Sequence, residues 1–465
     1  MRLPFAISGY QHRSLPVSAQ RVVNLFSEAQ PETAKSRVVL LPTPGLVQFS
    51  TGPFAGCRGL HVMGDHLYAV IGIGVFRVTD GGSSALLGTI PGGGPVSMDS
   101  DSAKLVIVVP ETREGYVVDR ASGSVTQIVD PDFGGATAVT VIDGYFVFAS
   151  PNSTEFFHSA ISDPTSYNAF DFASAEWQPD NLVTLARVGG ELWLFGERSI
   201  EIWTNIGAVD FPFLRSSGGL VARGTVAPAS VAVRSNTATW LGDDLVVYTA
   251  AGAQPQRIST HAIEQAINGY SVVSDAEGWV YEQEGHAFYV LTFPAAEATW
   301  CYDFATGLWH ERNSVGVGYW RAAWATPFAG HVIAGDASTG KLWRVEPAMP
   351  AEDGETIIRL ATSAAFQAEA RETFFSRLAL EFQAGVGLTT GQGAAPVAWV
   401  SWSNDGGHTW SNPATVRLGA IGAYRARAEL RRLGKARDRV FRVQWSDPVF
   451  TVLAAMDLDA EASDG

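Results

Sequence analysis

Residues 189–203 read GGELWLFGERSIEIW: a glycine pair, a run of large apolar residues, a short polar turn and a second apolar run. The glycines supply the positive φ angles that tight hairpin turns require. Short apolar runs between turn signals are typical of strands that are buried on both faces. This stretch therefore predicts a β-hairpin inside a stack of sheets.

The same unit recurs between residues 57 and 347. One residue marks the first run of each unit: Tyr68, Val106, Phe146, Trp193, Trp240, Tyr289 and Val332. These markers lie 38 to 49 residues apart, which is the usual spacing of four-stranded propeller blades. The repeat predicts an all-β fold containing a β-propeller of about seven blades, with six or eight left open. Two stacked β-sandwiches are the alternative, but they would not keep so regular a spacing.

The remaining local signals are few. Asp143-Gly144 predicts a tight hairpin turn, and the second run of the fifth unit is expected at residues 245–248. Residues 260–267, THAIEQAI, predict one short helix that is capped by Thr260 and closed by Asn268-Gly269.

Three domains follow from where the repeat begins and ends. Residues 1–55 lack it and predict an extended N-terminal arm that lies on its own propeller or on a neighbouring copy. Residues 56–347 form the propeller. Residues 348–465 predict a C-terminal β-domain that resembles a sandwich, with a linker at 348–355 and strands at 374–382, 397–402 and 440–445. The last residues, 460–465, are expected to fray.

The charge balance excludes some classes of function. The chain of 465 residues has a net charge of −15, whereas a general nucleic-acid binder needs a basic surface. The first 347 residues hold 20 Lys and Arg against 33 Asp and Glu, so the acidity is concentrated there. Such a surface would let DNA slide past without sticking. The sequence has no signal-peptide pattern at its start and no membrane-spanning apolar run, so we expect it to be made in a cytoplasm.

Residues 403–410, SNDGGHTW, match the Asp-box pattern S-x-D-x-G-x-T-W. The motif resembles the Asp-boxes of sialidases and their relatives, where it is structural and lies away from the catalytic site. Its physics is local: Asp405 accepts N–H bonds across the turn, the glycines allow the tight path, and Trp410 packs beneath. We expect a structural turn formed by Ser403, Asp405, Gly407, Thr409 and Trp410.

A sialidase-like, carbohydrate-active propeller enzyme is the alternative function. Such an enzyme needs arginines that grip a carboxylate, and the arginines at propeller positions have no recognisable sialidase context: Arg58, Arg113, Arg187, Arg223 and Arg234. His61, Asp65 and His66 are the closest approach to a metal cluster, but a zinc site needs three or four converging ligands. We therefore assign no catalytic, cofactor-binding or metal-binding residue and expect a protein that is not an enzyme.

One run of basic residues stands out near the C-terminus, with only Glu429 and Asp438 to balance it. Its members are Arg425, Arg427, Arg431, Arg432, Lys435, Arg437, Arg439 and Arg442. The simplest interpretation is a solvated face of strands and loops. The functional interpretation is a docking surface for an acidic partner, such as the acidic propeller of a neighbouring copy. Direct DNA contact is the third possibility.

Several segments, in order, resemble one known family. They are residues 23–28 (VNLFSE), 41–46 (LPTPGL), 58–59 (RG), 178–180 (QPD), 193–203 (WLFGERSIEIW), 258–264 (ISTHAIE) and the late basic run. The family is that of the packaged-DNA stabilisation proteins of short-tailed bacteriophages, the tail-hub or nozzle proteins. The stretch from QPD to EIW is its most specific element, and the resemblance extends over nearly the whole chain.

The resemblance implies a virion tail component without catalytic residues. It implies a homo-oligomeric ring, expected to be a hexamer, below the adaptor ring that caps the portal. It also implies that the ring continues the channel for double-stranded DNA without binding it specifically, retains packaged DNA, and carries the tail needle, spikes or fibres.

Overall fold

The computed structural model describes residues 2–367 and 371–462. Six antiparallel four-stranded units follow the predicted repeat, and the strands of each unit are consecutive in the sequence; five are separate sheets, and the sixth is the first part of a larger sheet. We number these units blade 1 to blade 6.

The strands of the six blades are as follows. Blade 1 contains Cys57–Met63, His66–Ile71, Gly74–Val78 and Ser84–Thr89; blade 2, Ser97–Ser100, Lys104–Val109, Glu114–Asp119 and Val125–Gln127; blade 3, Ala138–Ile142, Tyr145–Ala149, Glu155–His158 and Phe172–Ser174. Blade 4 contains Leu182–Val188, Glu191–Gly196, Ile200–Asn205 and Phe213–Val221; blade 5, Ala232–Arg234, Thr237–Leu241, Val247–Ala250 and Gln256–Arg257; blade 6, Glu277–Gln283, His286–Phe293, Ala298–Asp303 and Leu308–Arg312.

The seventh predicted unit differs from the other six. It supplies only three strands, Ala322–Phe328, His331–Asp336 and Lys341–Glu346, and the fourth is the N-terminal strand Gly45–Thr51, antiparallel to Lys341–Glu346. We call this composite the closing sheet. The expectation of about seven equal blades is therefore corrected to six complete blades and a closing sheet. Strand pairing between distant segments leaves no local sequence signal, so the repeat could not reveal this.

The closing sheet completes a ring. Its first strand, Ala322–Phe328, packs against the first strand of blade 6 and against the first strand of blade 1. Residues 348–355 are not the free linker that was expected: Ala351–Glu352 pairs in parallel with Gly45–Thr51, and Glu355–Thr356 pairs with Ala351–Glu352.

A two-sheet sandwich follows the propeller. One of its sheets continues blade 6, because Leu308–Arg312 pairs in parallel with Val22–Val23. Beyond that strand come Arg359–Thr362, Asp438–Trp445, Val397–Ser403 and Ala414–Arg417. The other sheet has the order Ala428–Arg431, Thr373–Phe382, Leu453–Ala462, Val38–Pro42 and Leu25–Ala29. Short strands Arg2–Leu3, Lys435–Ala436 and Phe366–Gln367 add to these sheets.

The expected strands of the C-terminal region are all present within these sheets. The expectation that the chain frays from residue 460 is wrong for residues 460–462, which end the strand Leu453–Ala462. Residues 463–465, to which the same expectation applied, lie outside the described residues.

The hairpin Leu25–Ala29/Val38–Pro42 lies between two hydrophobic cores. Leu25 and Leu40 are buried in the core of the sandwich, whereas Phe26 is buried in a core formed by blade 6 and the closing sheet, with Leu41 against it. Successive strand residues point to opposite faces, so one hairpin serves both cores. The N-terminal segment therefore lies on its own chain.

Asn24 lies where the chain passes from the strand Val22–Val23 in one sheet of the sandwich to the strand Leu25–Ala29 in the other. Its φ of 55° is left-handed, a conformation that Asn tolerates better than most residues. Its Nδ2 donates to the carbonyl oxygens of Asn313 (3.0 Å) and Ile358 (2.8 Å), and its Oδ1 accepts from the Asn313 N–H at 3.1 Å. These bonds connect the N-terminal segment to the residue that follows blade 6, Asn313, and to the residue that precedes the strand Arg359–Thr362, Ile358.

A buried arginine stabilises the same junction between the propeller and the sandwich. The fully buried Arg312 guanidinium lies 3.4 Å from the centre of the Trp320 ring, and its Nη2 donates to the Pro44 carbonyl at 2.9 Å. Glu352 lies 3.7 Å from Arg312 and accepts from Trp320 Nε1 at 2.9 Å. Removing one partner of such a pair leaves an uncompensated buried charge, which is strongly destabilising.

The local signals are largely confirmed. The helix His261–Asn268 follows Thr260, whose side chain accepts from the Ile263 N–H, and Asp143 and Gly144 both have positive φ. The second strand run of blade 5 begins later than expected, at Val247, because Leu245 has a φ of 63° and belongs to the turn.

Among residues 2–367 and 371–462, the helices lack the length and apolar character needed to cross a membrane. A hairpin of Tyr10–Gln11 with Ala19–Gln20 and a 3₁₀ turn at Pro228–Ser230 complete the structure.

The closing sheet should be sensitive to the size of residue 45. A Cβ on Gly45 would lie 2.1 Å from the Ala351 carbonyl oxygen and 2.4 Å from that of Met349, so the backbone would have to move. We expect Gly45→Ala to lower the free energy of unfolding by about 1–3 kcal/mol, measured by urea unfolding. The control is Gly190→Ala, whose added Cβ would meet nothing within 4 Å. Equal midpoints for the two variants would contradict the prediction.

Candidate docking surface

The basic run lies at one edge of the sandwich. Ala428–Arg431 is the outermost strand of its sheet, at the end opposite Leu25–Ala29. Ala414–Arg417 is likewise the outermost strand of the other sheet. Residues 418–427 connect these two strands, so they cross from one sheet to the other at the edge farthest from the propeller. We call this region the distal edge.

The eight basic side chains do not form one surface. Arg425, Arg427, Arg432 and Arg437 are exposed, and none of them forms an ion pair with another described residue. Arg431 is exposed but lies 3.2 Å from Glu429, and Lys435 lies 2.8 Å from Glu372. Exposed pairs of this kind contribute little to stability, so both remain free to exchange partners.

Arg439 does not belong to the exposed set. Its residue is only 1% exposed, Nε donates to Asn404 Oδ1 at 2.9 Å, and Nη1 donates to the Leu433 carbonyl at 2.7 Å. The guanidinium lies 4.2 Å from the centre of the Phe375 ring. Burial lowers the pKa of Arg439 to about 10. The docking role expected for Arg439 is therefore corrected: this side chain stabilises the sandwich.

Arg442 is also held from within the domain. It is half-buried, and its guanidinium lies 4.3 Å from the centre of the Trp410 ring. Strand alternation explains why Arg442 differs from Arg439: the two lie three residues apart in the strand Asp438–Trp445 and so point to opposite faces, whereas Arg437 precedes that strand. The candidate surface thus reduces to the exposed arginines around the distal edge.

Arg437 and Arg439 provide a matched pair for testing this division. We expect Arg439→Ala to lower the free energy of unfolding by about 2–4 kcal/mol, because it leaves the Leu433 carbonyl and Asn404 unpaired. Arg437→Ala should stay within about 0.5 kcal/mol of the unsubstituted protein. Chemical unfolding followed by tryptophan fluorescence measures both, and an equal loss in the two variants would refute the assignment.

The Asp-box forms the expected structural turn, between the strands Val397–Ser403 and Ala414–Arg417. Ser403 Oγ donates to Asp405 Oδ1 at 2.6 Å, and the Thr409 N–H donates to the same oxygen at 2.9 Å. Bonds from Ser403 and Thr409 hold the pKa of Asp405 well below its usual range. A Cβ on Gly407 would lie 2.9 Å from Ala19 Cβ, so the turn also packs against the N-terminal segment.

The QPD segment holds a turn in blade 4. Asp180 is buried, and its Oδ2 accepts from the Arg198 N–H at 2.7 Å and the Ser199 N–H at 3.0 Å, while Oδ1 accepts from Ser199 Oγ at 2.9 Å. These donors form the turn between Glu191–Gly196 and Ile200–Asn205. Residues 178–180, which precede blade 4, thus stabilise the hairpin formed by its second and third strands.

This role predicts a stability defect. We expect Asp180→Ala to lower the free energy of unfolding by about 2–3 kcal/mol, because the N–H groups of Arg198 and Ser199, the second of them buried, lose their acceptor. Thermal unfolding by circular dichroism measures the effect. Asp210→Ala removes an exposed carboxylate from the same blade and should leave the melting temperature unchanged. Comparable shifts for the two variants would count against the role of Asp180.

Three of the residues considered for an enzyme, Arg58, Arg223 and His61, form structural contacts. Arg58 is buried and donates to the carbonyls of Gly94 (2.7 Å) and Gly72 (2.9 Å). Arg223 donates to Tyr248 Oη at 3.1 Å, and His61 bonds to Ser100 Oγ at 2.8 Å. Within residues 2–367 and 371–462, no group of three or more His, Cys, Asp or Glu is placed to hold a metal ion.

A cavity of about 130 Å³ lies between blade 6, the closing sheet and blade 1, and its lining includes Cys57, Glu277, Thr292 and Tyr319. Burial, and then the nearby Asp275, raises the pKa of Glu277 to about 7. Burial also raises the pKa of the Cys57 thiol to about 12, so this thiol stays protonated and is a poor nucleophile.

Two family matches cover both domains. Residues 1–349 match the family described as bacteriophage P22 Gp10, β-propeller, and residues 358–461 match bacteriophage P22 Gp10, β-sandwich. The chain belongs to the bacteriophage P22 Gp10 family. This is a family of phage tail-hub or nozzle proteins, so the resemblance seen in the sequence is confirmed. Members of the P22 Gp10 family are structural proteins of the virion tail.

Solved structures match the chain only distantly. A streptogramin B lyase structure has 11% identity and a TM-score of 0.46, covering 65% of this chain and 97% of that one. A catalytically inactive virginiamycin B lyase from Staphylococcus aureus has 10% identity and a TM-score of 0.45, covering 65% and 98%. The RRP9 WD40 repeats have 11% identity and a TM-score of 0.42, covering 66% and 99%. At these scores the likenesses carry no information about function. No curated protein sequence matches the chain significantly.

Proposed function

We propose that this chain is a tail-hub or nozzle subunit that forms a ring, expected to contain six copies, below the adaptor ring of the portal. The ring continues the DNA channel, retains the packaged DNA, and carries the tail needle, spikes or fibres. The chain is made in the host cytoplasm and acts without catalysis. The observation that carries this proposal is the family match, which extends over the propeller and the sandwich together.

The charge of the chain supports passage of DNA without specific binding. A net charge of −15 opposes adsorption of a polyanion. A channel built from such chains holds DNA by confinement and not by contacts to phosphate groups.

The distribution of basic residues supports protein docking. The exposed arginines are concentrated at the distal edge, while the propeller region carries the excess of acidic residues. Complementary potentials of this kind favour association and fix orientation.

The sequence motif that suggested a carbohydrate-active enzyme does not support that function in the structure. The Asp-box lies in the sandwich and holds a turn against Ala19, so it gives no reason to expect glycosidase chemistry in the propeller.

Negative-stain imaging and native mass spectrometry test the proposal directly. The purified chain, alone and mixed with the portal–adaptor complex of the phage that encodes it, should form rings or cap the adaptor. Particles assembled without the chain should lose their DNA, and adding the chain back should restore retention.

Two results would refute the proposal: a chain that stays monomeric and does not bind the portal–adaptor complex, or hydrolysis of a sialoside by the purified protein. Normal DNA retention in particles that lack the chain would remove the retention role alone.

A further inference from the structure

The distal edge combines exposed apolar and basic side chains. Residues 414–428 contain three arginines and no Asp or Glu. Tyr424 is 78% exposed, Ile421 is also exposed, and Arg425 and Arg427 lie beside them in the sequence, both exposed. Exposed aromatic residues beside arginines are typical of protein interfaces.

A second exposed apolar patch lies on blades 3 and 4. It is formed by residues 159–171, which follow the third strand of blade 3, and by residues 206–212, which follow the third strand of blade 4. Val209 is 100% exposed and Phe170 is 84% exposed, with Ile161 and Ile206 also exposed. Exposed apolar side chains grouped on neighbouring loops are typical of interaction sites. We call this patch the blade 3–4 rim.

The two segments of the rim are neighbours in space. The Ser162 N–H donates to the Gly144 carbonyl at 2.8 Å, and Asn205 Nδ2 donates to Asp143 Oδ2 at 2.9 Å. The turn Asp143-Gly144 therefore contacts both segments.

The rim has the opposite charge to the distal edge. Residues 159–171 and 206–212 contain three Asp and no Lys or Arg. Asp163 pairs with Lys104 at 3.2 Å. Asp210 is exposed, and Asp171 is half-buried and its carboxylate accepts only a long bond from Asn168 Nδ2 at 3.4 Å, so these two carboxylates are the acidic groups without an ion-pair partner in the described part of the rim.

The two surfaces lie at opposite ends of the molecule. The first strands of the blades pack against each other in chain order, and the closing sheet joins blade 6 to blade 1. The sandwich is attached at blade 6 and the closing sheet. Blades 5 and 4 on one side, and blades 1 and 2 on the other, separate this attachment from blade 3. Blade 3 is therefore diametrically opposite the sandwich, whose distal edge points away from the propeller.

We propose that copies of this chain dock head to tail, with the distal edge of one copy seated on the blade 3–4 rim of the next. Tyr424 and Ile421 would lie against Phe170 and Val209, and the arginines of the edge would face the aspartates of the rim. A contact between two different surfaces at opposite ends of a subunit generates a closed ring when the rotation closes. The inference rests on the proposed ring and specifies the contact that builds it.

Charge reversal on each surface tests the contact. One variant carries Arg425→Glu and Arg427→Glu, and the other carries Asp171→Lys and Asp210→Lys. Each alone should lose self-association in sedimentation velocity, with circular dichroism showing that both remain folded. An equimolar mixture should regain it, because the acidic edge of the first variant then fits the basic rim of the second. The control Arg13→Glu with Arg37→Glu makes the same change in charge at exposed positions elsewhere and should assemble normally.

A crosslink detects the contact even when it is weak. Arg427→Cys in one preparation and Asp210→Cys in another should give a dimer with a short bismaleimide only when the two are mixed, since the native Cys57 and Cys301 are buried. No mixed dimer, or reversal variants that associate like the unsubstituted protein, would overturn the contact. A ring that survives both reversals would leave the proposed function standing, whereas a chain that neither self-associates nor binds the portal–adaptor complex would refute the ring itself.

Discussion

The main-chain pairing between Gly45–Thr51 and Lys341–Glu346 is the constraint on which the rest of the fold depends. Each blade buries its faces against two neighbours, so an open array of blades would leave apolar faces exposed at both ends. The N-terminal strand completes the closing sheet and lets that sheet pack against blade 1 and blade 6. The two strands come from distant parts of the chain, so the propeller ring can close only after both have been synthesised. Pairing between such distant segments is expected to form slowly during folding.

The same N-terminal segment joins the propeller to the sandwich. Leu25 and Phe26 point into different cores. Asn24 lies where the chain passes between two sheets, and Arg312 is buried at the junction of the two domains. The two domains therefore share core residues and are not two bodies on a flexible linker. The distal edge and the blade 3–4 rim are therefore held at a fixed separation and angle, which the proposed ring would require.

The motifs that carry the family resemblance have structural roles. Asp180 holds the central turn of blade 4, and Asn24 directs the chain between sheets. The Asp-box, which suggests an enzyme when only the sequence is considered, holds a turn in the sandwich through Asp405. Both carboxylates accept several bonds from these turns, so their role in the structure is to stabilise backbone geometry.

The sequence by itself determined the strands, the hairpin turns, the capped helix and the Asp-box turn, because periodicity, glycine positions and capping residues act over a few neighbours. It also determined the class of fold, through the spacing of the repeat. Only the tertiary structure decided that the last sheet borrows its fourth strand from residues 45–51 and that residues 348–355 join it. It also decided that Arg439 is buried while Arg437 is exposed. Strand pairing between distant segments depends on which segments meet in the fold, and the burial of Arg439 depends on the groups packed around it, such as the Phe375 ring. The local sequence records neither.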